Sequence, residues 1–286
     1  MKEWIEKIGA RALSDGGFVD RPNGGYRPDA TAWAIIAIKA SGGLEDLADT
    51  ARERLRKDQM KDGRVCVIPG FREAYWPTAL AVMAWHGSPE YLDSQSSSIR
   101  FLLSTSGNHW EKKPDSILGH DPEIKGWAWI ENTHSWVEPT SLVLLSLEVA
   151  GQHQHERSCE ARRMLLDRQL ESGGWNYGNT SVFGQTLRPM TESTGMALSA
   201  LAGKVSSERV ALSIAYLQER INSLLTPLSL GWSLLGLSAW DKRPGNAEDL
   251  IFKSLSRQAV YGVYDTSQLS ILILAFLGKK GLPNLV

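Results

Sequence analysis

Four carboxylates, Asp29, Glu138, Glu192 and Asp265, stand at or beside the starts of short, nearly uncharged segments. Gathered at one place they would repel one another, and burial would penalise their charge. Both effects raise a carboxyl pKa, so one of the four could stay protonated near neutral pH and act as an acid. The plainer role is helix capping, worth roughly 1 kcal/mol for each residue and favoured by the helix dipole. The case for chemistry therefore rests on their convergence. His134, four residues before Glu138, is a candidate proton relay, or a loop histidine bonded to backbone. Aromatic residues accompany the acids. Trp33 lies one turn after Asp29; Trp76, Trp136 and Tyr264 adjoin other starts; Trp232 lies inside such a segment, and Trp129 in a long loop. Aromatic faces around a cavity stabilise a carbocation by about 0.5–2 kcal/mol each, or simply fill space. Arg27, Arg72 and Arg188 each precede such a segment and could hold a diphosphate or carboxylate head group, or pair with the acids.

Something must bring these residues together, and a repeat supplies it. Six apolar segments begin at about residues 29, 76, 138, 192, 227 and 265. Each runs about a dozen residues with almost no charge, as expected of a helix buried on all sides. Charged amphipathic stretches alternate with them: 4–13, 44–57, 89–103, 155–170, 207–221 and 247–258. Their apolar residues recur at three- and four-residue spacing. Six outer helices around six inner ones predict an all-α protein, an α6/α6 toroid formed as a single domain over residues 1–286. The inner helices would run parallel, so their N-termini and the four acids meet at one mouth. The longest gap holds a Trp-, Pro- and Gly-rich loop, about 107–137, expected to act as a flap over that mouth.

Composition narrows the classes. The 286 residues are 42% apolar and 22% charged, with 31 basic against 32 acidic residues and 11 Trp. Near-neutral charge argues against nucleic acid as a partner. No apolar run reaches the roughly 18 residues of a membrane span. Peripheral membrane contact, a homodimer and a partner protein remain open. Two cysteines, Cys66 and Cys159, make no disulfide framework, and the expected location is cytoplasmic. No metal site is expected. His153, His155, Glu156 and Cys159 read as surface residues, and Asp121, Glu123 and Glu131 would hold Mg²⁺ only if the substrate were a diphosphate. No redox cofactor is implied.

Several outer stretches end in a Gly-aromatic turn, clearest in Arg168-Gln169-Leu170-Glu171-Ser172-Gly173-Gly174-Trp175. Weaker copies are Asp15-Gly16-Gly17-Phe18, Asp58-Gln59-Met60-Lys61-Asp62-Gly63 and the stretch from Gln258 to Tyr264. These resemble the glutamine–tryptophan repeats of squalene–hopene cyclases and the related repeats of protein prenyltransferase β subunits. In such turns the Gly caps the helix, the Gln can bond the free helix end, and the ring stacks over the turn. The class II cyclase signature Asp-x-Asp-Asp-Thr-Ala corresponds to Arg27-Pro28-Asp29-Ala30-Thr31-Ala32 here. The resemblance implies that Asp29 is the proton donor, with Arg27 and Ala30 replacing its acidic neighbours. The prenyltransferase zinc site is not matched, because Asp265 stands where that family has His.

The leading expectation is a terpenoid-cyclase-like enzyme, an isomerase or lyase. An isoprenoid or other apolar polyene would bind in the ring, and protonation would start cyclisation or isomerisation. The alternatives are a glycan-active toroid, with carboxylate pairs and Trp stacking, and a non-catalytic binding or assembly module.

Overall fold

Helix-forming segments with no polar face can be satisfied only inside a layer of amphipathic ones, and the fold solves that problem for six such segments. The computed structural model describes residues 2–113 and 116–286. Along the chain run α1 (Lys2–Gly9), α2 (Pro28–Ser41), α3 (Glu45–Asp58), α4 (Pro77–Trp85), α5 (Leu92–Ser104), α6 (Val137–Val149) and α7 (Glu156–Asp167). They are followed by α8 (Thr191–Leu201), α9 (Ser207–Arg220), α10 (Pro227–Ala239), α11 (Ala247–Ser256), the short α12 (Gln258–Tyr261) and α13 (Thr266–Leu277). The apolar helices α2, α4, α6, α8, α10 and α13 pack each on the next, and α13 packs back on α2, closing an inner ring. The amphipathic α1, α3, α5, α7, α9 and α11 cover it from outside. The expected six-and-six arrangement is the observed one. No described helix is long and apolar enough to cross a membrane.

The ring is held by a bond that recurs at the inner-helix starts. The hydroxyls of Thr31, Thr78, Thr140 and Thr194 accept the backbone N–H of Phe18, Val65, Trp127 and Trp175 at 2.9–3.0 Å. Each bond ties a turn residue to the helix that follows it. The seam between the first and last repeats is closed differently. Arg11, 8% exposed, donates to the Tyr264 carbonyl (2.6 Å) and the Thr266 hydroxyl (3.1 Å). The Thr266 N–H and hydroxyl reach the Asp20 carbonyl at 2.8 and 3.0 Å.

The glutamines of the turns do more than cap their own helix. The Gln59 amide donates to the Gly63 carbonyl within its turn (3.2 Å). It also reaches the Ser94 carbonyl (2.8 Å) and the Ser98 hydroxyl (2.9 Å) on α5, the next outer helix. Gln169 likewise donates to Ser213 on α9 at 2.8 Å. The turn glycines explain why that neighbour can come so close. Gly63 has φ +96°, and a Cβ there would stand 2.2 Å from the Ser97 carbonyl oxygen; at Gly173, with φ +89°, it would stand 2.5 Å from the Leu212 carbonyl. Gly63→Ala is expected to cost about 2 kcal/mol or more, from left-handed strain and the clash together. Urea unfolding checks this, and a loss below about 0.5 kcal/mol would show that α5 gives way freely.

The loop at 107–137 behaves otherwise than expected. Trp129 is its residue on the mouth cavity. Three other residues of the loop are tied to the outside wall: Trp127 donates its indole N–H to the Leu102 carbonyl at the end of α5 (2.9 Å), Asp121 its N–H to Asp167 on α7 (2.9 Å), and Lys125 its N–H to Glu160 (3.3 Å). These bonds make it a wedge between α5 and α7 rather than a flap. It also meets a two-stranded hairpin that periodicity did not suggest, β1 (Ser181–Val182) and β2 (Gln185–Thr186), through the Phe183 N–H and the Ile117 carbonyl. At the opposite end of the ring, the turn Leu282–Leu285 packs against α2, α6 and α13, with Leu282 fully buried.

Candidate functional site

Helical phase decides which residues face the lumen. The second residues of α2, α6, α8, α10 and α13 are Asp29, Glu138, Glu192, Leu228 and Ser267, and Trp76 directly precedes α4. All six line one cavity of about 290 Å³ at the N-terminal mouth. Four residues further along, Trp33, Leu142, Met196 and Trp232 form a second tier on the same helix faces. Asp20, Arg27, Trp129 and Asp265 complete the wall. The site is thus an acidic rim above a floor of aromatic and aliphatic side chains. Trp33 meets Trp232 edge to face at 5.9 Å, and Trp76 meets Trp129 at 5.2 Å.

The ring order splits the acids into two groups. Adjacent α2 and α13 carry Asp29 and Asp265, with Asp20 beside them; adjacent α6 and α8 carry Glu138 and Glu192. Helices α4 and α10 separate the two groups. On the first side Asp29 is 5% exposed, and both its oxygens accept from Arg27, Oδ1 from Nε at 2.8 Å and Oδ2 from Nη2 at 2.9 Å. That is the bidentate fork geometry of a guanidinium on a carboxyl group, and the bond to Asp29 raises the Arg27 pKa. Asp29 makes no capping bond. Asp265 does: it accepts the Gln268 N–H at 2.7 Å in a capping box. Burial pushes its carboxyl pKa up, the Gln268 bond pulls it down, and the charge of Asp20 raises it again.

On the second side neither acid caps its helix. Glu138 Oε1 accepts from the Ser193 hydroxyl at 2.9 Å, and Glu192 Oε2 from the Ser229 hydroxyl at 2.9 Å. Each is held by a serine of the next helix in the ring. Burial raises the Glu138 pKa above the usual glutamate range; the Ser193 bond opposes this and the Glu192 charge adds to it. Glu138 is thus a rim carboxyl whose protonated form burial favours and which does not serve as a cap.

Five residues that sequence adjacency placed at the mouth lie off the cavity wall. Trp136 is the residue before α6 and stacks on His134, with ring centroids 4.1 Å apart. His134 is half-buried, burial and Arg168 hold its imidazole pKa down, and it is not among the residues that line the cavity. Tyr264 is buried in the wall with its hydroxyl on the Ser254 carbonyl at 2.7 Å. Arg72 is exposed and pairs with Asp62 at 3.2 Å. Arg188 is exposed between β2 and α8, where its carbonyl accepts from Asn176. The second residues of α2, α6, α8, α10 and α13 turn inward, whereas Trp136, directly before α6, and Tyr264, two residues before α13, turn away from the lumen. Asp20, Leu142, Met196, Leu228 and Ser267 were missed. The spacing of four from the acids could have shown Leu142 and Met196; Asp20 depends on a contact across 246 residues.

Among the described residues no group of three or more His, Cys, Asp and Glu side chains is placed to hold a metal. Asp121 accepts the Glu123 N–H, Glu123 accepts the Lys112 N–H, and Glu131 pairs with Arg64. His155 caps α7 by accepting the Arg157 N–H.

The Arg27–Asp29 pair has a measurable consequence. Arg27→Ala leaves a buried carboxylate with no partner and is expected to cost about 2–4 kcal/mol, while Arg27→Met with Asp29→Leu recovers most of that loss. A double-mutant cycle by urea unfolding measures it, and single and double variants of equal stability would contradict the account.

No protein family model matches the chain, and no curated protein does. Solved structures do. A form of the type II terpene cyclase MstE from Scytonema is 11% identical over 100% of this chain and 97% of that one, with a TM-score of 0.62. The GH76A α-1,6-mannanase of a Salegentibacter species is 13% identical over 97% and 96%, with a TM-score of 0.63. A novel α-amylase from Clostridium perfringens is 10% identical over 97% and 98%, with a TM-score of 0.61. The fold is an α/α toroid. Identities this low carry the fold and no activity, and the toroids it resembles include a terpene cyclase and glycan-active enzymes.

Proposed function

We propose that the protein is an enzyme that starts an isomerisation or cyclisation by protonating an alkene of a short apolar substrate, with Glu138 as the acid. The observation that carries this reading is the two-tier cavity. A protonatable carboxyl sits at the rim, Leu142 and Met196 line the turn beneath it and its neighbour Glu192, Trp76 precedes the adjacent α4, and Trp33 and Trp232 stand across the lumen. An alkene below Glu138 would receive its proton, and the resulting carbocation would face indole rings. Asp29, expected from the resemblance to be the donor, is assigned a fixed negative charge beside the cation path, because Arg27 occupies both its oxygens. Glu192 keeps the Glu138 proton in place by repulsion. The volume of about 290 Å³ suits a ligand at the small end of the usual range. Another toroid of the same fold, a form of MstE, is solved with geranylgeranyl dihydroxybenzoate as its substrate.

One observation favours a second reading. Glu138 and Glu192 are two acids in different settings on neighbouring helices, beside Trp76 and Trp129, and glycosidases use such pairs with aromatic platforms. The lower tier offers a sugar few hydrogen-bond partners, which ranks this reading second.

A thermal-shift panel with product analysis separates them. Isoprenoid alcohols with one to three prenyl units should raise Tm by several degrees, since a ligand at about 100 times its Kd adds roughly 2.7 kcal/mol. A shift with mannose oligosaccharides alone would replace the first reading by the second.

A further inference from the structure

We infer that the substrate's polar end is an amine, bound as an alkylammonium ion between Asp20, Asp265 and the Trp33–Trp232 pair, and that anionic head groups are turned away. The inference rests on the proposed function above and names the substrate class of that same cavity.

The aromatic wall comes first. Helix α13 lies between α2 and α10, so the edge-to-face pair of Trp33 from α2 and Trp232 from α10 stands before the start of α13. Indole faces attract organic cations more strongly as water is excluded, and both rings are at most 5% exposed. Above this pair the wall supplies Asp20, Asp29 and Asp265. The positions of Asp20 and Asp265 are fixed by the backbone: the Asp20 carbonyl takes two bonds from Thr266, and Asp265 is locked in its capping box.

The cations nearby are committed elsewhere. Arg27 gives Nε and Nη2 to Asp29. Arg11 lies behind the wall, bonded to the Tyr264 carbonyl and the Thr266 hydroxyl. Arg21 is exposed, 3.9 Å from Asp20. Arg72 and Arg188, the other candidate anion holders, lie outside the cavity. A diphosphate at this mouth would meet four carboxylates, the protonated Glu138 and one arginine that is already paired. An ammonium ion meets complementary charge and an aromatic floor, on the side of the ring away from Glu138. The hydrocarbon chain then crosses the lumen towards the acid, so binding of the amine does not strip the proton from Glu138.

The test is a matched set with one chain and three head groups: geranylamine, geraniol and geranyl diphosphate, titrated calorimetrically at low and high salt. The amine is expected to bind about tenfold tighter than the alcohol, with that margin shrinking as salt rises, and the diphosphate weakest of the three. Asp20→Asn combined with Asp265→Asn should remove most of the margin and leave alcohol binding as it is, since Asn also caps a helix start. Equal binding of amine and alcohol would overturn the inference and leave the apolar-cavity reading standing. Tightest binding of the diphosphate would overturn it as well. Binding of none of the three would overturn both.

Discussion

Glu138→Gln is expected to lower turnover of a confirmed substrate by about 10²- to 10⁴-fold while making the protein more stable at neutral and alkaline pH. The two effects share one cause. Glutamine keeps an oxygen for the Ser193 hydroxyl but has no proton to give. It also cannot ionise, and ionised Glu138 is what burial and Glu192 oppose. A carboxyl whose pKa is raised by folding contributes its full share of stability below its unfolded pKa and loses it as pH rises through the folded value. Wild type and variant should therefore melt together near pH 4, and the wild type should fall behind as pH climbs. Activity of the wild type should fall over the same interval, as the acid form disappears. Thermal melts and initial rates across that range decide the matter. A variant that melts below the wild type at neutral pH would mean that Glu138 is a stabilising ion and not a strained acid.

Trp175→Ala is the substitution with the largest expected effect on the fold, about 3–5 kcal/mol. The side chain is fully buried, and its indole N–H donates to the Leu165 carbonyl at the end of α7 at 2.6 Å. Its backbone N–H is held by Thr194 at the start of α8. One residue therefore joins an outer helix to the next inner helix, and truncation leaves a cavity and removes a buried hydrogen bond together. Trp175→Phe fills most of that space and should cost about 1–2 kcal/mol. Urea unfolding of both variants gives the comparison, and equal losses would show that volume contributes little. A Trp136→Ala control, at a half-buried position beside α6, should lose less than either.

Much of this architecture was legible because burial on every side is a compositional property. Segments such as Ala32–Ile38 and Leu269–Ala275 contain almost no polar residue, and such helices must lie inside a shell. Their starts were readable to within about a residue, since Pro28, Pro77 and Pro227 open or nearly open α2, α4 and α10. The acids and three of the tryptophans, Trp33, Trp76 and Trp232, follow from that register. Trp136 and Tyr264 were misplaced because closeness in sequence to a helix start was equated with facing the lumen, and one or two residues of helical phase reverse the direction. The turn glutamines were expected to bond their own helix end. Their reach to the next outer helix depends on how closely the turn glycines let it approach, a distance that only packing defines. The loop at 107–137 became a wedge because Trp127 and Asp121 found partners on α5 and α7, contacts that no local pattern announces.

The seam between residues 11–20 and 264–266 also bears on how the chain acquires its shape. Every other join in the ring connects helices that are near in sequence, so those hairpins can form as the polypeptide leaves the ribosome. The closing join spans about 250 residues and must wait for α13. Until then α2 and α10 each present an unpaired apolar flank, an adhesive edge that a second unfinished chain could occupy. Closure of a loop this long is slow relative to local helix pairing. The buried guanidinium of Arg11 then acts as a latch: its polar targets, the Tyr264 carbonyl and the Thr266 hydroxyl, exist together only when the right helix arrives, so a mispaired partner would strand a charge.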